Sequence, residues 1–297
     1  MSTSGNDQVR PLSDEAKLRL LRHGVAESQI GSVFRIFHDA GLDPILIKGW
    51  AAARYYPSPE DRSLGDIDLA FADSEYDAAV AVRNVNSLTR TDLHRELRHL
   101  DTESWAELHL RSFQCDCAGE PVRILAPEDH LRVICVHWLN DGGAYRERLD
   151  DIANLVISTR RSFNWDRCFA PVSATRRRWI MTAVAIAARY TGRDLSFVPF
   201  SERFEQVPAW IDVSLRREWE SGYRLVPLHF VLTDPGALWR QLRKRFPPNP
   251  LQATIELEGE LDDAARWPYQ LRNLWQRFGP SWERLAPAVG RLLRGSS

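Results

Sequence analysis

Two aspartates two residues apart, Asp66 and Asp68, stand inside the apolar run Leu64-Gly-Asp-Ile-Asp-Leu-Ala-Phe71. On a β-strand, residues i and i+2 project to one face, so both carboxylates lie side by side while Ile67 and Leu69 enter the core. Adjacent carboxylates repel unless a cation sits between them, and hard oxygen ligands suit Mg²⁺. Upstream, Ile45-Leu-Ile-Lys48-Gly49 ends a short apolar run on a lysine and a glycine. A glycine at a strand-to-helix turn lets phosphate approach backbone N–H groups. Lys48 is placed to reach a β- or γ-phosphate or simply to cap the strand, and Arg62 offers a guanidinium that binds phosphate bidentately. A phosphate cradle beside a paired-carboxylate metal site points to nucleotidyl transfer.

Such chemistry commonly uses a third acid as metal ligand or base. In Trp105-Ala-Glu-Leu-His-Leu-Arg111, period-two alternation reads as a strand with Glu107, His109 and Arg111 on one face. Glu107 is then the third acid, facing the cleft beside Asp66 and Asp68, and His109 orients it, contacts substrate or is a structural imidazole. Blander readings stand beside these. The aspartates fit a solvated turn, Arg62 a surface ion pair with Glu60 or Asp61, and Glu107 an exposed edge strand.

Around these residues the pattern alternates strands with helices. Asp14–Ala40 has apolar residues near helical spacing and reads as two helices broken near Gly24 or Gly31. Strand Ile45–Lys48, helix Trp50–Tyr56, strand Leu64–Phe71 and helix Ser74–Asn86 follow. The strands Ser104–Phe113 and Pro121–Ile124 flank a turn at Gly119. After Pro127 the chain reads as helices: Leu131–Leu139, Tyr145–Ser158, Trp165–Ala170, Ala174–Tyr190, Ala209–Glu220, Gly236–Phe246, Trp267–Phe278 and Trp282–Arg294. The expected organisation is a flexible tail over 1–13, an α/β core over 14–126 and a helical region over 127–297.

Composition narrows the classes. The 297 residues carry 39 basic and 40 acidic side chains, a balance with no global nucleic-acid footprint. No run approaches the 18 apolar residues of a membrane span, and the polar N-terminus lacks a secretory pattern. Four cysteines are too few for a disulfide framework, which points to the reducing cytoplasm. Cys115-x-Cys117 lacks the second pair that zinc spacing requires. Lys48 is one of three lysines in an arginine-rich chain, beside Lys17 and Lys244. Trp239-Arg-Gln-Leu-Arg-Lys-Arg-Phe246 interleaves basic and aromatic residues, the pattern of a solvated basic helix face or of an RNA or acidic-peptide surface.

The chain resembles an uncharacterised nucleotidyltransferase family of the DNA polymerase β-like superfamily, often found in bacterial biosynthetic clusters. The resemblance lies in Leu-Ile-Lys48-Gly49, Tyr56-Pro57, Arg62, Asp66-Ile-Asp68-Leu and Glu107-Leu-His109. It continues in Pro127-Glu-Asp-His-Leu, Cys-Val-His137 and Arg148-Leu-Asp-Asp151-Ile-Ala, so that it covers roughly residues 30–190. It implies an α+β fold with a small mixed sheet and flanking helices, Mg²⁺ and a bound NTP, taken as ATP. Asp66, Asp68 and Glu107 would be the metal ligands, and Lys48, Gly49 and Arg62 the nucleotide contacts. The acceptor is unidentified: a small molecule or peptide in a biosynthetic pathway, or in the alternative a tRNA 3′ end. A catalytically silent protein binding a biosynthetic-cluster partner is the other alternative. Gly49 is followed by Trp50, where many superfamily members carry a serine.

Overall fold

In the computed structural model, the described residues are 13–276 other than 224, 227 and 232. The helix expected over Trp282–Arg294, the end of Trp267–Phe278 and residues 1–12 of the tail lie outside them. The chain divides into two compact units. One comprises the chain up to Leu97 together with Ser104–Ala126; the other comprises Arg98–Glu103 and the chain from Pro127 onward.

The first is a sheet unit with the expected mixed α/β architecture. It contains helix α1 (Asp14–Asp39), strand β1 (Ile45–Leu46), helix α2 (Trp50–Ala53) and strand β2 (Ile67–Phe71). Helix α3 (Tyr76–Val85), strand β3 (Thr91–Arg95), helix α4 (Trp105–Arg111) and strands β4 (Phe113–Cys117) and β5 (Glu120–Ile124) follow. The five strands are ordered β3-β2-β1-β5-β4. β2 runs parallel to β3 and antiparallel to β1, β1 is parallel to β5, and β4–β5 is a hairpin. Its two-residue turn holds Ala118 and Gly119 at φ +54° and +83°, the positive-φ pair that matches strand twist.

Helix α1 packs Ile30, Val33, Phe34 and Phe37 onto a core that includes Leu46, Leu69, Phe71 and Ile124. Each fully buried phenylalanine contributes roughly 2–3 kcal/mol by removing its ring from water. The expected break in α1 does not occur: 26 residues form one helix. Gly31 serves close approach instead, since a Cβ there would meet the Cys117 carbonyl oxygen at 2.8 Å.

A second difference concerns Ser104–Phe113, expected as a strand and found as helix α4. The reason is local. Ser104 caps the helix, its Oγ accepting from the Glu107 N–H at 3.3 Å and donating to the Glu107 carboxylate at 2.7 Å. The alternation is contradicted by burial, because Leu108 is buried while Leu110 is 84% exposed.

The second unit is helical: α5 (Pro127–Asn140), α6 (Leu149–Ser158), α7 (Trp165–Phe169), α8 (Ala174–Thr191), α9 (Ala209–Glu220), α10 (Pro235–Arg245) and α11 (Pro250–Glu256). Helix α11 went unread behind its prolines. Pro250 sits at the first helical position, where its missing N–H costs nothing, and Asn249 caps it. Among the described residues, no helix is long and apolar enough to cross a membrane.

The two α1 glycines should separate in a matched test. Gly24→Ala, in open space, should stabilise by about 0.5–1 kcal/mol through helix propensity. Gly31→Ala should destabilise by about 1–3 kcal/mol through overpacking against the hairpin. Urea melts of the two variants would measure this, and equal shifts would overturn the packing argument.

Candidate functional site

Strand β2 delivers Asp68 between two core residues, Ile67 and Leu69. Its parallel neighbour β3 alternates in the same way, with Thr91 and Leu93 buried and Asp92 and His94 on the opposite face. The register sets Asp68 beside Asp92 and Ala70 beside His94. The Asp68 Oδ1 lies 3.2 Å from His94 Nε2, and that nitrogen lies 3.6 Å from Asp92 Oδ2. β1, on the other flank of β2, leads directly into Lys48, whose Nζ lies 2.7 Å from the same Asp68 oxygen.

Asp68 is therefore a carboxylate between the Lys48 ammonium group and the His94 imidazole. Burial alone would raise its pKa. The hydrogen bond from His94, with the charge and hydrogen bond of Lys48, outweighs burial and holds Asp68 below the usual carboxylate value. Its side chain is only 14% exposed, whereas Asp92 is 65% exposed. One half of the cluster is rooted in the protein and the other opens to solvent.

Asp68, Asp92 and His94 each offer a ligand atom, all within 4.8 Å of one another. Among the described residues this is the single group of three or more such side chains. Two carboxylates suit Mg²⁺, and the imidazole also admits Mn²⁺.

The other expected residues fall as follows. Asp66 is exposed at the approach to β2. Gly49 adopts φ 64°, ψ −114° before the short helix α2, a backbone region open in practice to glycine. Arg62 is buried, with Nη1 donating to the Ser63 carbonyl at 2.6 Å. Glu107 is on α4 rather than on a strand, exposed and engaged with its cap Ser104. His109 meets Asp43 at 3.1 Å, at the start of β1, the opposite end from Lys48. Trp50 is not a substitute for a phosphate-binding hydroxyl. Its indole is buried and donates to Glu27 of α1 at 2.8 Å, which anchors α2 in the core.

Asp92 and His94 were not among the residues expected from sequence. The signal was present in Thr-Asp-Leu-His-Arg, an alternation of five residues, but it carries a single strong apolar side chain. The cysteines add no reactive group: burial first, then the Glu27 and Asp116 charges, push Cys117 up to about 12. In the helical unit, His137 pairs with Asp141 at 3.3 Å, and the buried Asp151 lies 3.6 Å from Arg148. No family model, curated protein or solved structure matches the chain.

The depressed pKa of Asp68 makes a signed prediction. A carboxylate with a lowered folded pKa adds stability above its unfolded value, near 4, that is lost as pH falls through the folded value. Thermal melts from pH 6 to pH 3 should therefore show a steeper loss below about pH 4 in the native protein than in Asp68→Asn. Parallel curves would remove the claim that Lys48 and His94 stabilise the ionised form.

Proposed function

We propose that the sheet unit catalyses divalent-metal-dependent nucleotidyl transfer, moving NMP, AMP in the first instance, from an NTP to an acceptor hydroxyl or similar group. The observation that carries this reading is the in-register pair Asp68 and Asp92 on adjacent parallel strands, with Lys48 alongside. Asp68, Asp92 and His94 would hold Mg²⁺, and the exposed Asp66 would add an outer carboxylate. A divalent ion held there would supply Lewis-acid charge stabilisation and activation of the attacking oxygen.

The protein side chains divide the remaining tasks. As the acceptor oxygen bonds to the α-phosphorus, the α–β phosphoanhydride bond breaks and pyrophosphate leaves; Lys48 moves from Asp68 to those phosphates, a charge exchange that leaves neither group uncompensated. Gly49 lets the backbone turn without a side chain at the phosphate approach. Arg62, bound to the Ser63 carbonyl, braces the loop leading to Asp66. Asp92, exposed and beside His94, accepts the acceptor's proton. In this reading the third acid is Asp92, and Glu107 serves as a helix-capping partner. The acceptor is a small molecule, a peptide or a biosynthetic partner protein, with a tRNA end as the alternative.

A second reading has a specific observation behind it. Lys48 and His94 already engage the same Asp68 oxygen, as a catalytically silent binding protein would allow. The two readings separate in a melt: transferase chemistry requires stabilisation by ATP that depends on Mg²⁺ or Mn²⁺.

Labelled NTPs, Mg²⁺ and separate pools of metabolites, protein and tRNA test the activity directly. Asp68→Asn and Asp92→Asn should each lower transfer by about a thousandfold or more, the loss of several kcal/mol of metal-assisted stabilisation. Glu107→Gln should retain it. Full activity in Asp92→Asn with loss in Glu107→Gln would reverse the assignment.

A further inference from the structure

We propose that the helical unit carries a small-molecule site of its own, for an elongated, mainly apolar carboxylate bearing an aromatic ring. A cavity of about 890 Å³ lies among α9, α10, α11 and the turn at Tyr145–Glu147. Organic ligands typically occupy pockets of roughly 300–1,000 Å³ whose walls are largely apolar, with a few polar groups fixing orientation. Here Tyr145, Trp219, Tyr223, Leu242 and Phe246 line the space. Leu242 and Phe246 also remain 41% and 64% exposed, so the apolar wall continues to the surface and provides an entrance.

The charges in the wall decide the polarity of the ligand. Lys244 is taken up inside the protein, with Nζ 2.8 Å from both Glu218 and the Ser221 hydroxyl. Asp141 is paired with His137. The Arg245 guanidinium donates to Gln241 and to the Val226 carbonyl. Glu147 is exposed.

Arg146 is exposed as well and differs from these in its contacts. Its guanidinium lies over the Trp219 ring at 5.3 Å and the Tyr190 ring at 5.8 Å. It has no carboxylate partner among the described residues. Trp219 is itself fixed, its indole N–H donating to the Gly143 carbonyl at 2.8 Å and its ring edge-on to Tyr190 at 4.8 Å. A stacked guanidinium keeps its in-plane N–H fork available, and that fork matches a carboxylate. An aromatic wall with one pre-positioned arginine fits an aryl-alkyl carboxylate. This site does not depend on nucleotidyl transfer.

The test uses the full-length protein, with 4-phenylbutyrate and its uncharged amide as probes. Isothermal titration should find the carboxylate bound more tightly than the amide, on the order of tenfold, the worth of one charge-assisted hydrogen-bonded pair. Arg146→Gln should bring the two affinities together while leaving the melting temperature near that of the native protein. Leu242→Glu, at the exposed entrance, should weaken both ligands. Equal affinities on the native protein, binding of neither at millimolar concentration, or a carboxylate preference that survives Arg146→Gln would overturn the proposal.

Discussion

The partly buried carboxylate of Asp68 is the constraint on which the sheet unit depends. A charge on a strand flanked by core residues is costly unless its neighbours compensate it. Compensation comes from both flanking strands, through Lys48 beyond β1 and His94 on β3. That requirement ties together three strands whose connections are otherwise independent. It also fixes the register of β2 against β3, because a slip of one residue would turn Asp92 and His94 into the core and expose Thr91 and Leu93.

The same constraint explains why the segment after Lys48 takes its unusual form. The chain must reverse within a few residues of the ammonium group without moving it from Asp68. Gly49 allows the turn, and Trp50 locks it by donating to Glu27 on α1. Read as a phosphate cradle alone, Gly49-Trp50 looks defective for want of a hydroxyl. In the fold its two residues have separate tasks, one conformational and one anchoring.

What was legible in the chain follows from how strong each local signal is. The mixed α/β fold with flanking helices, β2, the Gly119 turn and most helices of the second unit rest on clear periodicity or unambiguous turn residues. α4 was misread because Ala-Glu-Leu-His-Leu satisfies period two as well as helical spacing, and Ser104 with Glu107 decides between them by capping. That error carried Glu107 onto a strand face where it does not lie. β3 was missed because its partner-facing residues are polar, and only pairing with β2 makes five such residues a strand. Asp92 and His94 became visible through that pairing, which no stretch of sequence displays by itself.

Accessibility distinguishes this charge cluster from the one in the helical unit. There, Arg132 lies between Asp101 at 2.6 Å and Asp129 at 2.7 Å, with all three side chains almost wholly buried. Burial lowers the arginine pKa, but the two aspartates more than offset this. That network is closed to solvent: Arg132 Nε and Nη2 each meet a buried aspartate, while Nη1 is buried without a hydrogen-bond partner among the described residues. The Asp68 network has the opposite form, with one carboxylate rooted between Lys48 and His94 and a second, Asp92, turned outward. A closed network fastens Arg98–Glu103 to helix α5. An open one joins three neighbouring strands through Asp68 and leaves the carboxylate of Asp92 in reach of solvent.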